Sequence, residues 1–241
     1  MIKKIVITGG TGRFGNLLKK IKTKYKLYFP NKNELNILNI VKTEKYIKKI
    51  KPHILIHLAG LSRPMKIHEE DIIKSIDLNI IGTANMVKVC KKNNIKLVYF
   101  STNYVYPGTQ GNYSEKDSLL PINNYAWSKL GGEASVQLYK NSLILRTCMT
   151  EKPFVHDKAF ANVKTSFMYH EEVSRILFKI LKKKGIINIG GKSQFIFDFV
   201  KKDKKYIKKI YLKKKDKLRM PINSSLNVNK LKKILKKNCE K

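Results

Sequence analysis

Ile5-Val6-Ile7-Thr8-Gly9-Gly10-Thr11-Gly12-Arg13-Phe14-Gly15, near the start of a 241-residue chain, is the stretch that decides the fold. The three branched apolar residues read as a buried strand and the glycines as a tight turn. Phe14, Leu17, Leu18 and Ile21 then recur at the i, i+3, i+4, i+7 spacing of an amphipathic helix. The alternation continues outward. Leu27-Tyr28-Phe29 predicts a second strand, residues 42–50 a helix, and Ile54-Leu55-Ile56-His57-Leu58 a third strand. A long helix from about Asp71 to Lys92 precedes the strand Leu97-Val98-Tyr99-Phe100. A helix from about Tyr125 places Trp127, Leu130, Ala134 and Leu138 on one stripe and leads into Leu143-Ile144-Leu145. Val173, Ile176, Leu177, Ile180 and Leu181 form a last stripe before Ile186-Ile187-Asn188-Ile189. Strands alternating with helices predict an α/β protein whose parallel, doubly wound, Rossmann-type sheet is covered on both faces. The expected division is a nucleotide-binding domain over 1–149 and a small C-terminal substrate lobe over 150–241, with 170–190 returning to the sheet.

Gly9, Gly12 and Gly15 give G-x-x-G-x-x-G, and Gly10 to Gly15 also satisfies G-x-G-x-x-G. A turn this tight demands unusual φ, and a side chain would keep a pyrophosphate off the backbone N–H groups at the helix start. Lying between a strand and an amphipathic helix, the motif predicts dinucleotide binding. The segment after the second strand, Phe29-Pro30-Asn31-Lys32-Asn33, offers no carboxylate for a ribose 2′-hydroxyl. Lys32 or Arg13 facing a 2′-phosphate favours NADP(H) over NAD(H).

Tyr125 and Lys129 stand four residues apart, on one helix face. A phenol is a poor acid at neutral pH, but a neighbouring cation lowers its pKa toward the working range, so the pair suits proton transfer. Upstream, Phe100-Ser101-Thr102-Asn103 closes a strand, and catalytic groups of open α/β sheets sit at the carboxyl ends of strands. A hydroxyl from Thr102 or Ser101 there is suited to polarising the carbonyl that Tyr125 protonates.

These stretches, with Leu35-Asn36-Ile37, Leu58-Ala59-Gly60, Asn79-Ile80-Ile81-Gly82-Thr83, Ser101 to Tyr106, Leu145-Arg146-Thr147 and Arg219-Met220-Pro221 through Ser225-Leu226 to Lys230-Leu231, resemble the extended short-chain dehydrogenase/reductases. The nearest resemblance is to the dTDP-4-dehydrorhamnose reductase type of dTDP-rhamnose biosynthesis. It implies an oxidoreductase that reduces a nucleotide-activated 4-keto-6-deoxy sugar. Thr102, Tyr125 and Lys129 would be the catalytic set, with Tyr125 the proton donor and Lys129 also holding the nicotinamide ribose. Gly9, Thr11, Gly12, Arg13, Phe14, Asn36, Ile37, Leu58, Ala59 and Gly60 would line the cofactor. Thr102, Asn103 and Arg219 would face the substrate, and Asn79 would brace the active-site strands.

The chain departs from that pattern in four places. Asn36 stands for an aspartate near the adenine, Asn103 for the aspartate after the catalytic threonine, and Met149 for a sugar-facing aromatic. Residues 150–166 are shortened, so the sugar pocket is expected to be shallower or completed by a second copy in a homodimer. An epimerase or dehydratase of the same family is the near alternative. The dehydratase is disfavoured because its Asp-Glu pair is replaced by Asn103-Tyr104. A non-catalytic, NADP-binding regulatory subunit is the alternative from another class.

A net charge of +34 would by itself suggest a nucleic-acid partner. Only five of the 51 basic residues are arginine, however, and the lysines are scattered in pairs and triplets over helix surfaces, so no specific nucleic acid is expected. The exception is 201–241, with 17 basic and three acidic residues, which could contact an anion. His53 and His57 flank an extended strand and would stand ~13 Å apart, too far to share a metal. His57 reads as a satisfied core histidine, and no metal is predicted. Cys90, Cys148 and Cys239 are too few and scattered for a disulfide framework, which predicts the cytoplasm. No run of about 18 apolar residues suggests a membrane span.

Overall fold

The computed structural model of the protein describes residues 2–213 and 219–239; the side chain of Cys239, Asp216 and Glu240 fall outside the described residues. Six strands form one parallel sheet in the order Gly185–Ile189, Ser142–Thr147, Lys96–Thr102, Ile54–His57, Lys4–Thr8, Lys26–Tyr28. Ile5, Val6, Ile7, Leu55, Ile56, Leu97 and Val98 are all buried, the continuous apolar run expected of strands covered on both faces. The strand order reverses between Lys4–Thr8 and Ile54–His57, and such a switch point opens a crevice at the strands' carboxyl ends. Register puts Thr8 opposite His57 and His57 opposite Tyr99, so these three residues stand side by side in one row, the first two at the ends of their strands and Tyr99 three residues before the end of its own.

Contacts divide the chain into two units. The first comprises Met1–Ser101, Ser128–Leu145 and Leu181–Gly185; the second comprises Thr102–Trp127, Arg146–Ile180 and Ile186–Lys241. The second has its own apolar cluster of Phe154, Ala159, Val163, Ile196, Val200 and Ile207. It also carries short strand pairs, parallel between Lys158–Phe160 and Lys208–Ile210 and antiparallel between Lys164–Thr165 and Gln194–Phe195.

Two expectations are modified. The helix predicted over Asp71–Lys92 is segmented: Asp71 caps Ile72–Ile76 by accepting from the Lys74 N–H at 2.8 Å, a π turn spans Asp77–Ile81, and Gly82–Lys92 follows. Single wide turns of this kind accompany local functional constraints, and this one contains Asn79. The Asn79 carboxamide accepts from Leu61 N–H at 2.7 Å and donates to Leu61 C=O at 2.9 Å and Ser128 Oγ at 2.8 Å. On helix Asn124–Gln137, Trp127 of the predicted stripe faces solvent, as does Leu138 just past its end, and Ala126, Ser128, Gly132, Glu133 and Val136 are buried instead. Close approach selects these smaller side chains: a Cβ on Gly132 would lie 2.4 Å from the Asn79 carbonyl oxygen.

Replacing Asn79 with alanine removes the side-chain partner of both Leu61's N–H and its C=O and breaks the bond to the Ser128 hydroxyl. We expect a loss of about 2 kcal/mol or more in a urea unfolding midpoint analysis, where ordinary surface substitutions stay within about 0.5 kcal/mol.

Candidate functional site

The glycine turn begins one residue past the first strand. Gly9 takes φ +71, a conformation side chains rarely adopt, and a Cβ there would stand 2.6 Å from Ala59 N. A Cβ on Gly15 would meet the Gly9 carbonyl oxygen at 2.5 Å. Both glycines are explained by the chain's own packing. Gly12 is different: its φ of −72 suits any residue, it is exposed, and a Cβ would meet only Gly9 O, at 3.2 Å. Its N–H closes the turn on Gly9 O at 3.0 Å, and Asn16 Nδ2 ties down Thr11 O at 3.1 Å. The face left bare at Gly12 fits the close approach of a phosphate to backbone.

Next to the turn runs a directional hydrogen-bond chain. The Thr83 hydroxyl donates to Asn79 O at 2.8 Å, so it accepts from His57 Nε2–H at 3.2 Å. That leaves His57 Nδ1 to accept from the Thr8 hydroxyl at 2.8 Å, and the Thr8 oxygen takes the Ala59 N–H at 3.2 Å. Burial, with a smaller contribution from the Lys129 charge, pushes the His57 pKa down to about 3, so this imidazole is neutral throughout the working range. His57 is therefore a core histidine with both nitrogens engaged. Among the described residues no cluster of three or more His, Cys, Asp or Glu could hold a metal.

The row Thr8, His57, Tyr99 leads to Lys129, whose ammonium sits 4.3 Å from the Tyr99 ring centroid while the Tyr99 hydroxyl donates to Lys129 O at 3.0 Å. Part of the Lys129 side chain reaches the surface, yet its ammonium is densely surrounded by protein. Burial lowers the Lys129 pKa to about 7, opposed by the carboxylate of Glu133 one turn further along the helix. Glu133 is fully buried and accepts from Ser101 Oγ at 2.6 Å.

In the second unit, Thr102 ends its strand as the N-cap of the short turn Asn103–Val105, its hydroxyl accepting from Tyr104 N–H at 3.2 Å. Tyr104 meets Tyr125 edge to face at 6.3 Å between centroids. Asn123 caps the helix that carries Tyr125, accepting from Ala126 N–H at 2.9 Å, and its amide donates to the Arg219 carbonyl at 2.8 Å. This brings the exposed Arg219 to the start of the Tyr125 helix. Asn103 is buried, and its amide nitrogen is spent on Ser224 Oγ at 2.9 Å, Ser224 O at 3.1 Å and Thr165 Oγ1 at 3.3 Å.

Arg13 and Lys32 are both exposed. Asn36 turns its side-chain oxygen to its own backbone, accepting Leu38 N–H at 3.0 Å, and Ile37 is buried with its carbonyl held by Asn85 Nδ2 at 2.9 Å. Phe14 is buried against Phe100. Leu58, Ala59 and Gly60 follow the third strand beside the glycine turn. Sequence reasoning passed over Glu133 and Asn123. The first continues the Tyr125, Lys129 spacing by another four residues, and the second is a capping residue type at the start of the predicted helix.

The depressed Lys129 pKa has a signed consequence. Between about pH 7 and 10.5 the unfolded chain binds more protons at this lysine than the folded chain, so its contribution to stability rises with pH across that window. Lys129→Met should therefore be relatively most stabilised at the lower end. The difference in thermal midpoint between variant and wild type, recorded from pH 6 to 10, should shrink as pH rises.

The family described as the RmlD substrate binding domain matches residues 3–150. Methionine adenosyltransferase 2 subunit beta of Xenopus laevis is 30% identical over 154 residues, covering 60% of this chain and 46% of that protein. The dTDP-D-glucose 4,6-dehydratase of Dictyostelium discoideum is 32% identical over 187 residues, covering 62% and 43%. The chain thus spans under half the length of these relatives. Among solved structures, the dTDP-4-dehydrorhamnose reductase of Bacillus anthracis in complex with NADP superposes with a TM-score of 0.85 at 25% identity, covering 96% of this chain and 91% of that one. With the family match extending over more than half of its length, and with this sheet order and glycine turn, the chain belongs to the RmlD substrate binding domain family of extended short-chain dehydrogenase/reductases.

Proposed function

We propose that this chain is a reductase of a nucleotide-activated 4-keto-6-deoxy sugar, using NADP(H) in preference to NAD(H). The observation that carries the reading is the pair Tyr125 and Lys129, one turn apart on a single helix, with the Lys129 ammonium at the end of the strand row that starts beside the glycine turn. The similar Bacillus anthracis reductase, solved with NADP, supports the cofactor, as do the exposed Arg13 and Lys32.

When bound, the cofactor supplies a hydride to the keto carbon. Tyr125 gives its phenolic proton to the carbonyl oxygen, so that hydride and proton together yield the alcohol. Thr102 steadies the developing oxyanion with its hydroxyl. Lys129 favours phenolate and holds the ribose hydroxyls, and the turn from Gly9 to Phe14, together with Asn36, Ile37 and Leu58 to Gly60, receives the rest of the cofactor. Arg219 faces the substrate, with residues 150–241 as the substrate lobe, 170–190 returning to the sheet, and a second copy as the partner that would complete a shallow pocket. No described helix is long and apolar enough to cross a membrane, and the free, buried Cys90 and Cys148 suit a reducing compartment, the cytoplasm.

A non-catalytic regulatory role is the second reading. It is favoured by the similarity to methionine adenosyltransferase 2 subunit beta and by Asn103, whose amide is engaged within the protein.

Gly12→Asp places a carboxylate on the bare face of the turn while clashing with little of the chain, so it should abolish or greatly weaken NADPH binding in a fluorescence titration and leave the thermal midpoint within a few degrees. Tyr125→Phe should retain NADPH binding and lower keto-sugar reduction by roughly 10²–10⁴-fold, the usual loss of a positioned general acid. Wild-type turnover in that variant refutes the mechanism; NADPH binding by the wild type without turnover of any nucleotide 4-keto sugar selects the regulatory reading.

A further inference from the structure

Helix Asn124–Gln137 carries a third ionisable group in register with the first two: Tyr125, Lys129 and Glu133 follow at four-residue intervals and share a face. Glu133 has no exposed surface. A carboxylate rarely goes wholly inside a protein unless partners hold it, because desolvation costs several kcal/mol per ion. One partner is Ser101, whose hydroxyl donates to Glu133 Oε2 at 2.6 Å, the short distance of a charge-assisted bond. Gln137 reaches the other oxygen, Oε1, at 3.4 Å. Ser101 directly precedes Thr102 in the chain, so the residue that anchors the carboxylate is covalently joined to the proposed oxyanion donor.

The surroundings of Lys129 explain what a buried carboxylate does there. Its ammonium faces the Tyr99 ring, and the groups electrostatically coupled to it include, besides Glu133, two histidines, His57 on the third strand and His68. Neither an imidazole nor the aromatic ring offers a full negative charge. Desolvation alone would drive Lys129 toward the neutral amine, which neither lowers a phenol's pKa nor acts as a cation toward ribose hydroxyls.

We propose that Glu133 is a positioning residue of the reductase site: its buried carboxylate, locked by Ser101, keeps the Lys129 ammonium charged so that Lys129 can act on Tyr125 and on the cofactor ribose. This rests on the reductase reading for its purpose, but the electrostatic claim stands apart from turnover and is tested without it. Glu133→Gln keeps the shape and an oxygen for Ser101 while removing the charge.

The experiment is a pH titration of lysine 13Cε resonances in the whole chain without substrate. Two described lysines should show depressed midpoints, Lys129 at about 7 and the half-buried Lys96, near Lys184, at about 8; Lys129→Met assigns the first by deleting it. In Glu133→Gln the Lys129 midpoint should fall by about one unit while that of Lys96 stays put, and Glu133→Asp, which keeps the charge on a shorter arm, should restore most of it. If Glu133→Gln does not fold, Glu133→Asp against wild type carries the test, with a smaller downward shift expected. A Lys129 midpoint unchanged by removal or retraction of the charge overturns the proposal. A shifted midpoint in a protein that turns over no keto sugar upholds the electrostatic role and sinks only the reductase reading.

Discussion

A neutral imidazole held between two hydroxyls is the constraint on which the first unit depends. His57 accepts a hydrogen bond from Thr8 and donates one to Thr83, and each hydroxyl continues the chain, one to the backbone of Ala59 and the other to Asn79. A net hydrogen bond is worth about 0.5–1.5 kcal/mol, whereas a buried donor left without an acceptor costs about 1–3 kcal/mol, so such a network specifies geometry more than it adds stability. Every member has one permitted direction. That directionality fixes the first strand's end, where the glycine turn begins, against the third strand's end and the π turn at Asn79.

Asn79 passes the constraint on. Its carboxamide fixes Leu61 by both backbone groups, and its second amide hydrogen reaches Ser128 on the helix of Lys129. The close approach that makes this bond possible also demands Gly132 on the facing helix, where any Cβ would collide with the Asn79 carbonyl. The position of Lys129 is thus set by backbone contacts on one side and by the Tyr99 hydroxyl on the other, not by its own flexible side chain.

The sheet was legible in the sequence because its strands are short apolar runs bounded by turn residues, and because glycine spacing marks the one turn where backbone must stay bare. Gly9, Gly12 and Gly15 look alike as letters; only packing separates the two needed by the chain from the one whose outer face is left bare. The helix face of Tyr125 and Lys129 was legible from spacing. The apolar stripe through Trp127 and Leu138 was not, since its burial depends on how closely a neighbouring helix approaches, and the small residues that permit that approach carry little hydrophobic signal. The π turn was illegible for a related reason: it adds no residue type of its own and is set by the tertiary partners of Asn79. Glu133 is not legible because a charged residue in a lysine-rich chain reads as surface, and only its complete burial and its bond to Ser101 show that it is inside.

Asn103 and Arg146 show how the second unit uses polar groups that would otherwise be assigned to a substrate. Arg146 is almost fully buried, donating to the Tyr106 hydroxyl at 2.8 Å. Tyr106 stacks on Tyr113 with centroids 4.9 Å apart and donates to Asn188 Oδ1, while Asn188 N–H reaches the Glu115 carboxylate at 2.9 Å. A buried guanidinium within one such network is spent on fold, and the same holds for Asn103 between Ser224 and Thr165. An aspartate at 103 could not donate to the Ser224 carbonyl, so asparagine here follows from the contact with the C-terminal segment. The side chain after Thr102 is therefore held inside the second unit, whereas Arg219 remains exposed.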